Sequence, residues 1–281
     1  MVKTLSGKTS VITGAGKGIG RQIAKHLASQ GSNLVIIART RADLDSLESE
    51  LSGVEVLKCQ ADVSDSESIK KCFSQAAEKF GKIDILVNNA GMYGPIGPLE
   101  QNDLKLWQKT IEVNLLGMVN CIKAVLPHMP SGKIINLAGG GVGGNLKPNL
   151  SAYTTSKFAV AGLTQCLSIE LKNIDINCIA PGAINTQLLE QILEAGEKAG
   201  KDFLEQSKKQ KEFGGDSVEK VAELVSFLAS EKSNGITGRL ISAKWDNWEN
   251  LSKSDFENNS LYRLRRIDNF LAFEKKGDEN G

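Results

Sequence analysis

Only two histidines, His26 and His128, occur in the 281 residues, so metal sites and triads built on imidazole have almost nothing to draw on. Cysteine is scarce too: Cys59, Cys72, Cys121, Cys166 and Cys178 are an odd number, scattered, with no C-x-x-C pair. That excludes a disulfide framework and a zinc cluster, and it predicts reduced, mostly buried thiols. Nor is there an excess of either charge. Lys+Arg number 34 against 33 Asp+Glu, a net charge of +1, which argues against nucleic acid or a membrane surface held by bulk electrostatics. The longest apolar run near the start, Leu34-Val35-Ile36-Ile37-Ala38, is far short of the ~20 residues of a bilayer span. No apolar signal region precedes the first strand pattern, so the expected location is the cytoplasm. What is present is a hydrophobic fraction of 41%, enough to bury a large core.

Short β-branched runs alternate with longer helical patterns from residue 8 to about 242. The runs at 9–13, 33–38, 54–58, 83–87, 133–137, 175–179 and 239–242 read as strands. Helical spacing covers 18–30, 41–51, 66–80, 103–128, 152–172 and 217–230. Strand, helix, strand, repeated, predicts an α/β fold: a doubly wound parallel sheet between two helical layers, in one domain spanning 1–243. The last 38 residues, 244–281, differ. They hold six of the chain's fifteen aromatics, Trp245, Trp248, Phe256, Tyr262, Phe270 and Phe273. A solvated tail would be poor in aromatics, so this extension is expected to pack on its own core or on a neighbouring subunit, with Trp245 and Trp248 sharing an apolar face.

Thr13-Gly14-Ala15-Gly16-Lys17-Gly18-Ile19-Gly20 joins the first strand to the first helix. Such a turn lets backbone N–H groups and a helix N-terminus meet a pyrophosphate with no Cβ in the way. A carboxylate for the ribose 2′-hydroxyl is expected ~20 residues on, at the end of the second strand. Here that strand runs into Arg39-Thr40-Arg41 instead. A guanidinium at Arg39, with Lys17 facing the same region, suits a 2′-phosphate. NADP(H) is therefore expected over NAD(H).

Asn88-Asn89-Ala90-Gly91 after the fourth strand and Tyr153-Thr154-Thr155-Ser156-Lys157 opening a long helix complete a specific set. With the glycine turn, Asn114 and Pro181-Gly182, the chain resembles the short-chain dehydrogenase/reductase family over roughly residues 3–243. The resemblance implies a Rossmann fold and oxidoreduction between a nicotinamide and a carbonyl or secondary alcohol of a small polar substrate. It implies that Tyr153 is the acid/base, that Lys157 lowers the tyrosine pKa and binds ribose, and that Asn114 anchors a relay water. It further implies that Thr13, Gly14, Gly18, Ile19, Gly20, Asp62, Val63, Asn89, Ala90 and Gly91 hold the adenosine half. Pro181, Gly182, Ile184 and Thr186 would meet the nicotinamide end. A lid over 185–215 and a homodimer or homotetramer are implied as well.

One family feature is missing. A serine normally follows the fifth strand, yet this strand continues Ala138-Gly139-Gly140-Gly141-Val142-Gly143-Gly144. Counting back from Tyr153 by the family spacing lands on Gly140; aligning on the strand end lands on Gly139. The loop's N–H groups, or the Asn145 side chain, are the candidate replacements for contacting substrate. The alternative is that the chemistry has decayed, leaving an NADP(H)-binding sensor or scaffold.

Overall fold

A computed structural model describes residues 3–139, 141–142, 146–256 and 262–264. In chain order the elements are β1 (Thr9–Thr13), α1 (Gly18–Ser29), β2 (Asn33–Ala38), α2 (Arg41–Glu48), β3 (Val56–Gln60), α3 (Ser66–Phe80) and β4 (Ile85–Asn88). Then come α4 (Leu104–Ile111), α5 (Gly117–Val125), β5 (Gly132–Leu137), α6 (Ser151–Glu170) and β6 (Ile174–Ala180). The chain closes with α7 (Gln187–Ala195), α8 (Lys201–Phe213), α9 (Val218–Ala229) and β7 (Leu240–Ser242).

The strands are nearly all apolar because both faces of the sheet are covered. Successive side chains alternate between the faces. Ile12, Ile36, Ile135 and Ile179 join the cluster packed by α1 and α9. Val11, Val35, Ile134 and Ile176 join the one packed by α3, α5 and α6. All neighbours in the sheet are parallel, in the order β3-β2-β1-β4-β5-β6-β7. The chain winds outward through β3 and then returns to β4, beside β1. At that reversal the loops leaving β1 and β4 diverge and open a crevice at the carboxyl ends of the strands, where this architecture binds ligands.

The helix expected over 103–128 runs unbroken from Leu104 to His128, with α4 and α5 joined inside it by a π turn at Glu112–Leu116 that holds Asn114. Beyond β7, Trp248 and Phe256 are buried in the first cluster, and Arg239 lies 4.5 Å from the Phe256 ring. Trp245 does not pack on its own core: it is 79% exposed, with Lys244 over its ring. After Ser242 the backbone enters a turn, which aims the two tryptophans apart. The tail residues 257–261 and 265–281, with Phe270 and Phe273, lie outside the described residues.

Candidate active site

The glycine turn is locked to the neighbouring strand. Thr13 Oγ1 accepts from the N–H groups of Asn89 and Ala90, each at 3.1 Å. Asn89 Nδ2 returns hydrogen bonds to Thr13 O at 2.9 Å and Gly14 O at 3.0 Å. Gly14 and Gly18 have φ of +63° and +53°, a region that L side chains avoid. A Cβ on Gly14 would stand 2.9 Å from Ala90 Cα, and one on Gly20 would overlap Gly14 O and Asn89 Nδ2. The turn is thus pressed close to its supports, leaving its outer side bare.

A cavity of about 340 Å³ opens over it. From the expected set it is lined by Gly14, Lys17, Gly18 and Ile19 on the turn, and by Arg39, Asp62 and Val63 at one end. Asn89, Ala90 and Gly91 form its floor, and Tyr153, Lys157, Pro181 and Thr186 its other end. Six expected residues stand behind it. Thr13 and Gly20 brace the turn, Gly139 backs Tyr153, and Asn114 braces the Met92 loop. Gly182 packs against Asp216 and Ile184 against the core. Gly140 and Asn145 lie outside the described residues.

At the Arg39 end, Asp62 accepts from the N–H and hydroxyl of Ser64 at 2.9 and 2.7 Å. Burial works against its charge, but the Ser64 hydrogen bonds and the Lys109 and Arg39 charges prevail, holding its pKa below the ordinary value. Sequence reasoning missed Asp43, which lines the same end and sits 3.3 Å from Lys17 Nζ. Lys17 therefore faces a carboxylate across the mouth, not an open phosphate slot. Asp43 in the first turn of α2 was visible; its approach to the glycine turn was not.

At the other end, Tyr153 and Lys157 stand one turn apart on α6, and Lys157 Nζ lies 5.6 Å from the Tyr153 ring centre. Lys157 Nζ donates to Leu137 O at 2.9 Å. Burial lowers its pKa to about 8. Burial, with a smaller contribution from Tyr93, pushes the Tyr153 hydroxyl above its usual range. The direction is opposite to the lowering expected from the lysine charge, because desolvation of the phenolate dominates.

Asn114 is held by its neighbours. Its Oδ1 accepts from Met92 N at 2.8 Å, and its Nδ2 donates to Met92 O at 2.8 Å and Ser156 Oγ at 3.0 Å. Through these bonds Asn114 pins the loop after β4 to α6.

Tyr153 belongs to a small apolar cluster with Leu150, Ile192 and Ala199, against which Tyr93, Ile96 and Phe203 pack.

A short chain dehydrogenase family profile matches residues 8–197. The chain belongs to the short-chain dehydrogenase/reductase family. Like its relatives, this short-chain dehydrogenase/reductase is an NAD(P)-dependent oxidoreductase. It is 34% identical over 245 residues to the 3-oxoacyl-[acyl-carrier-protein] reductase FabG of Staphylococcus epidermidis, covering 83% of this chain and 96% of the relative. It is 33% identical to the mouse dehydrogenase/reductase SDR family member 4, covering 84% and 86% of the two chains. Among solved structures, NAD+-bound xylitol dehydrogenase superposes with a TM-score of 0.78 at 29% identity, over 85% of this chain and 98% of that one.

Proposed function

We propose that this enzyme reduces the carbonyl group of a small molecule to an alcohol, or runs the reverse, with Tyr153 as proton donor and NADP(H) preferred. The observation that carries the reading is one continuous cavity with Arg39 at one end and the Tyr153–Lys157 pair at the other. The residues present fit a dinucleotide: Gly14 and Gly18 line the cavity without side chains, at φ values that side chains avoid. When bound, the nicotinamide supplies the hydride. The glycine turn would receive the pyrophosphate, and Asp62 and Val63 the adenine. Arg39, exposed and without an ion pair among the described residues, would receive the 2′-phosphate. Asp43, through Lys17, tempers that preference.

Tyr153 holds its proton throughout the neutral range and gives it up only as negative charge grows on the substrate oxygen. Lys157, cationic below about pH 8, stabilises the phenolate that remains, and its free N–H groups would hold ribose. Pro181 and Thr186 would flank the nicotinamide. Assembly into a homodimer or homotetramer is part of the same reading, since Leu104, Leu116 and Ile169 are 67%, 51% and 67% exposed on the α4–α6 side.

One observation favours the second reading, a decayed NADP(H)-binding sensor: the strand end offers no hydroxyl at Gly139. The two are separated by following NADPH oxidation by the purified chain against keto sugars, keto acyl esters and apolar ketones. Turnover of any class that vanishes in Tyr153→Phe supports the enzyme; tight NADPH binding with no turnover supports the sensor.

A further inference from the structure

Tyr93 stands beside Tyr153, with ring centres 4.5 Å apart and planes at 67°, edge to face. The loop after β4 that floors the cavity also delivers Tyr93. That delivery is rigid, because Asn114 clamps Met92 through both its N–H and its carbonyl. Neither phenolic hydroxyl has a hydrogen-bond partner among the described residues, and neither hydroxyl oxygen is fully buried. The two phenols, in ring contact beside the apolar side chains of Leu150, Ile192 and Phe203, are donors free to meet a ligand oxygen. Burial pushes the Tyr93 hydroxyl up, so it remains a neutral donor at physiological pH.

We propose that Tyr93 supplies the second hydrogen bond to the reacting oxygen of the substrate, the task for which Gly139 has no side chain, and that the substrate is an apolar ketone. This rests on the reductase reading and replaces the small polar substrate expected from sequence. The chemistry is unchanged. Hydride adds to the carbonyl carbon, the C=O π bond opens, and the Tyr153 proton goes to oxygen. Tyr93 transfers nothing; it shares the growing negative charge and returns to its starting state. A donor aimed at such an oxygen contributes ~10²–10³ in rate.

The test uses the full chain loaded with NADPH and two probes. Benzamide carries a carbonyl oxygen that accepts two hydrogen bonds but is not reduced; acetophenone is reducible. Tyr93→Phe should weaken benzamide at least ~10-fold and lower kcat/KM for acetophenone by ~10², with NADPH affinity and Tm unchanged. Equal benzamide affinity in wild type and Tyr93→Phe, or no benzamide binding in the wild type, would overturn the proposal. Wild type that binds benzamide through Tyr93 but reduces no ketone would leave this hydrogen bond standing and overturn the reductase reading instead.

Discussion

Gly139 lies directly behind the hydroxyl of Tyr153. A Cβ at 139 would stand 2.9 Å from Tyr153 Cζ and 3.0 Å from Lys157 Cγ, and would overlap Tyr153 Oη. The phenol and the lysine stem use the space that a side chain at this strand end would need. Putting back a serine therefore should not repair the site. Gly139→Ser is expected to displace the Tyr153 ring, lowering kcat at least ~10-fold while leaving cofactor affinity near wild type. A rise in kcat would instead mark the loop as a damaged serine site.

Cofactor choice turns on two opposed charges at one cavity end. Wild type should bind NADPH at least ~10-fold tighter than NADH, about 1.4 kcal/mol, and Arg39→Ala should erase the gap in calorimetric titrations. Asp43→Asn should widen it, because Lys17, 3.3 Å away, is released toward the phosphate. An unchanged ratio in Arg39→Ala would remove the guanidinium from the phosphate site.

Tyr153→Phe should abolish turnover with cofactor affinity nearly intact, since only a proton donor is lost. Lys157→Met should harm both turnover and cofactor binding. Fluorescence titration with NADPH beside initial rates separates the two effects.

Lys157 also gives stability a pH dependence of known sign. Its folded-state pKa, about 8, lies below the ordinary 10.5, so between those values the unfolded chain binds the extra proton. Stability then rises with pH through that window, as the cost of burying the charge is relieved. Below about pH 8 the full cost is present. Wild type should therefore gain on Lys157→Met as pH climbs from about 8 toward 10.5, read by chemical denaturation across pH.

The extension is expected to act as part of the core. Trp248 packs 5.8 Å from Phe227, Arg239 donates to Phe256 O at 3.1 Å, and the edge strand's Leu240 N–H donates to Tyr262 O at 2.7 Å. Trp248→Ala should cost about 3–5 kcal/mol, and truncation after Ala243 should lower Tm. A truncated chain with unchanged Tm, mass and kinetics would make the segment a passive appendage.

What the sequence determined alone is what short-range physics controls. Alternating strand and helix patterns, the glycine turn that needs φ near +60° at Gly14 and Gly18, and a Tyr–Lys pair one helical turn apart are all legible within a few residues. From them followed the doubly wound sheet and the family. The tertiary structure decided the rest, because it depends on residues far apart in the chain meeting at the sheet's reversal. Asp43 reaches Lys17, Asn114 bonds Met92 and Ser156, and Tyr93 meets Tyr153 edge to face. Burial, a property of the assembled layers and of no local pattern, is what drives the Tyr153 hydroxyl up and the Lys157 ammonium down.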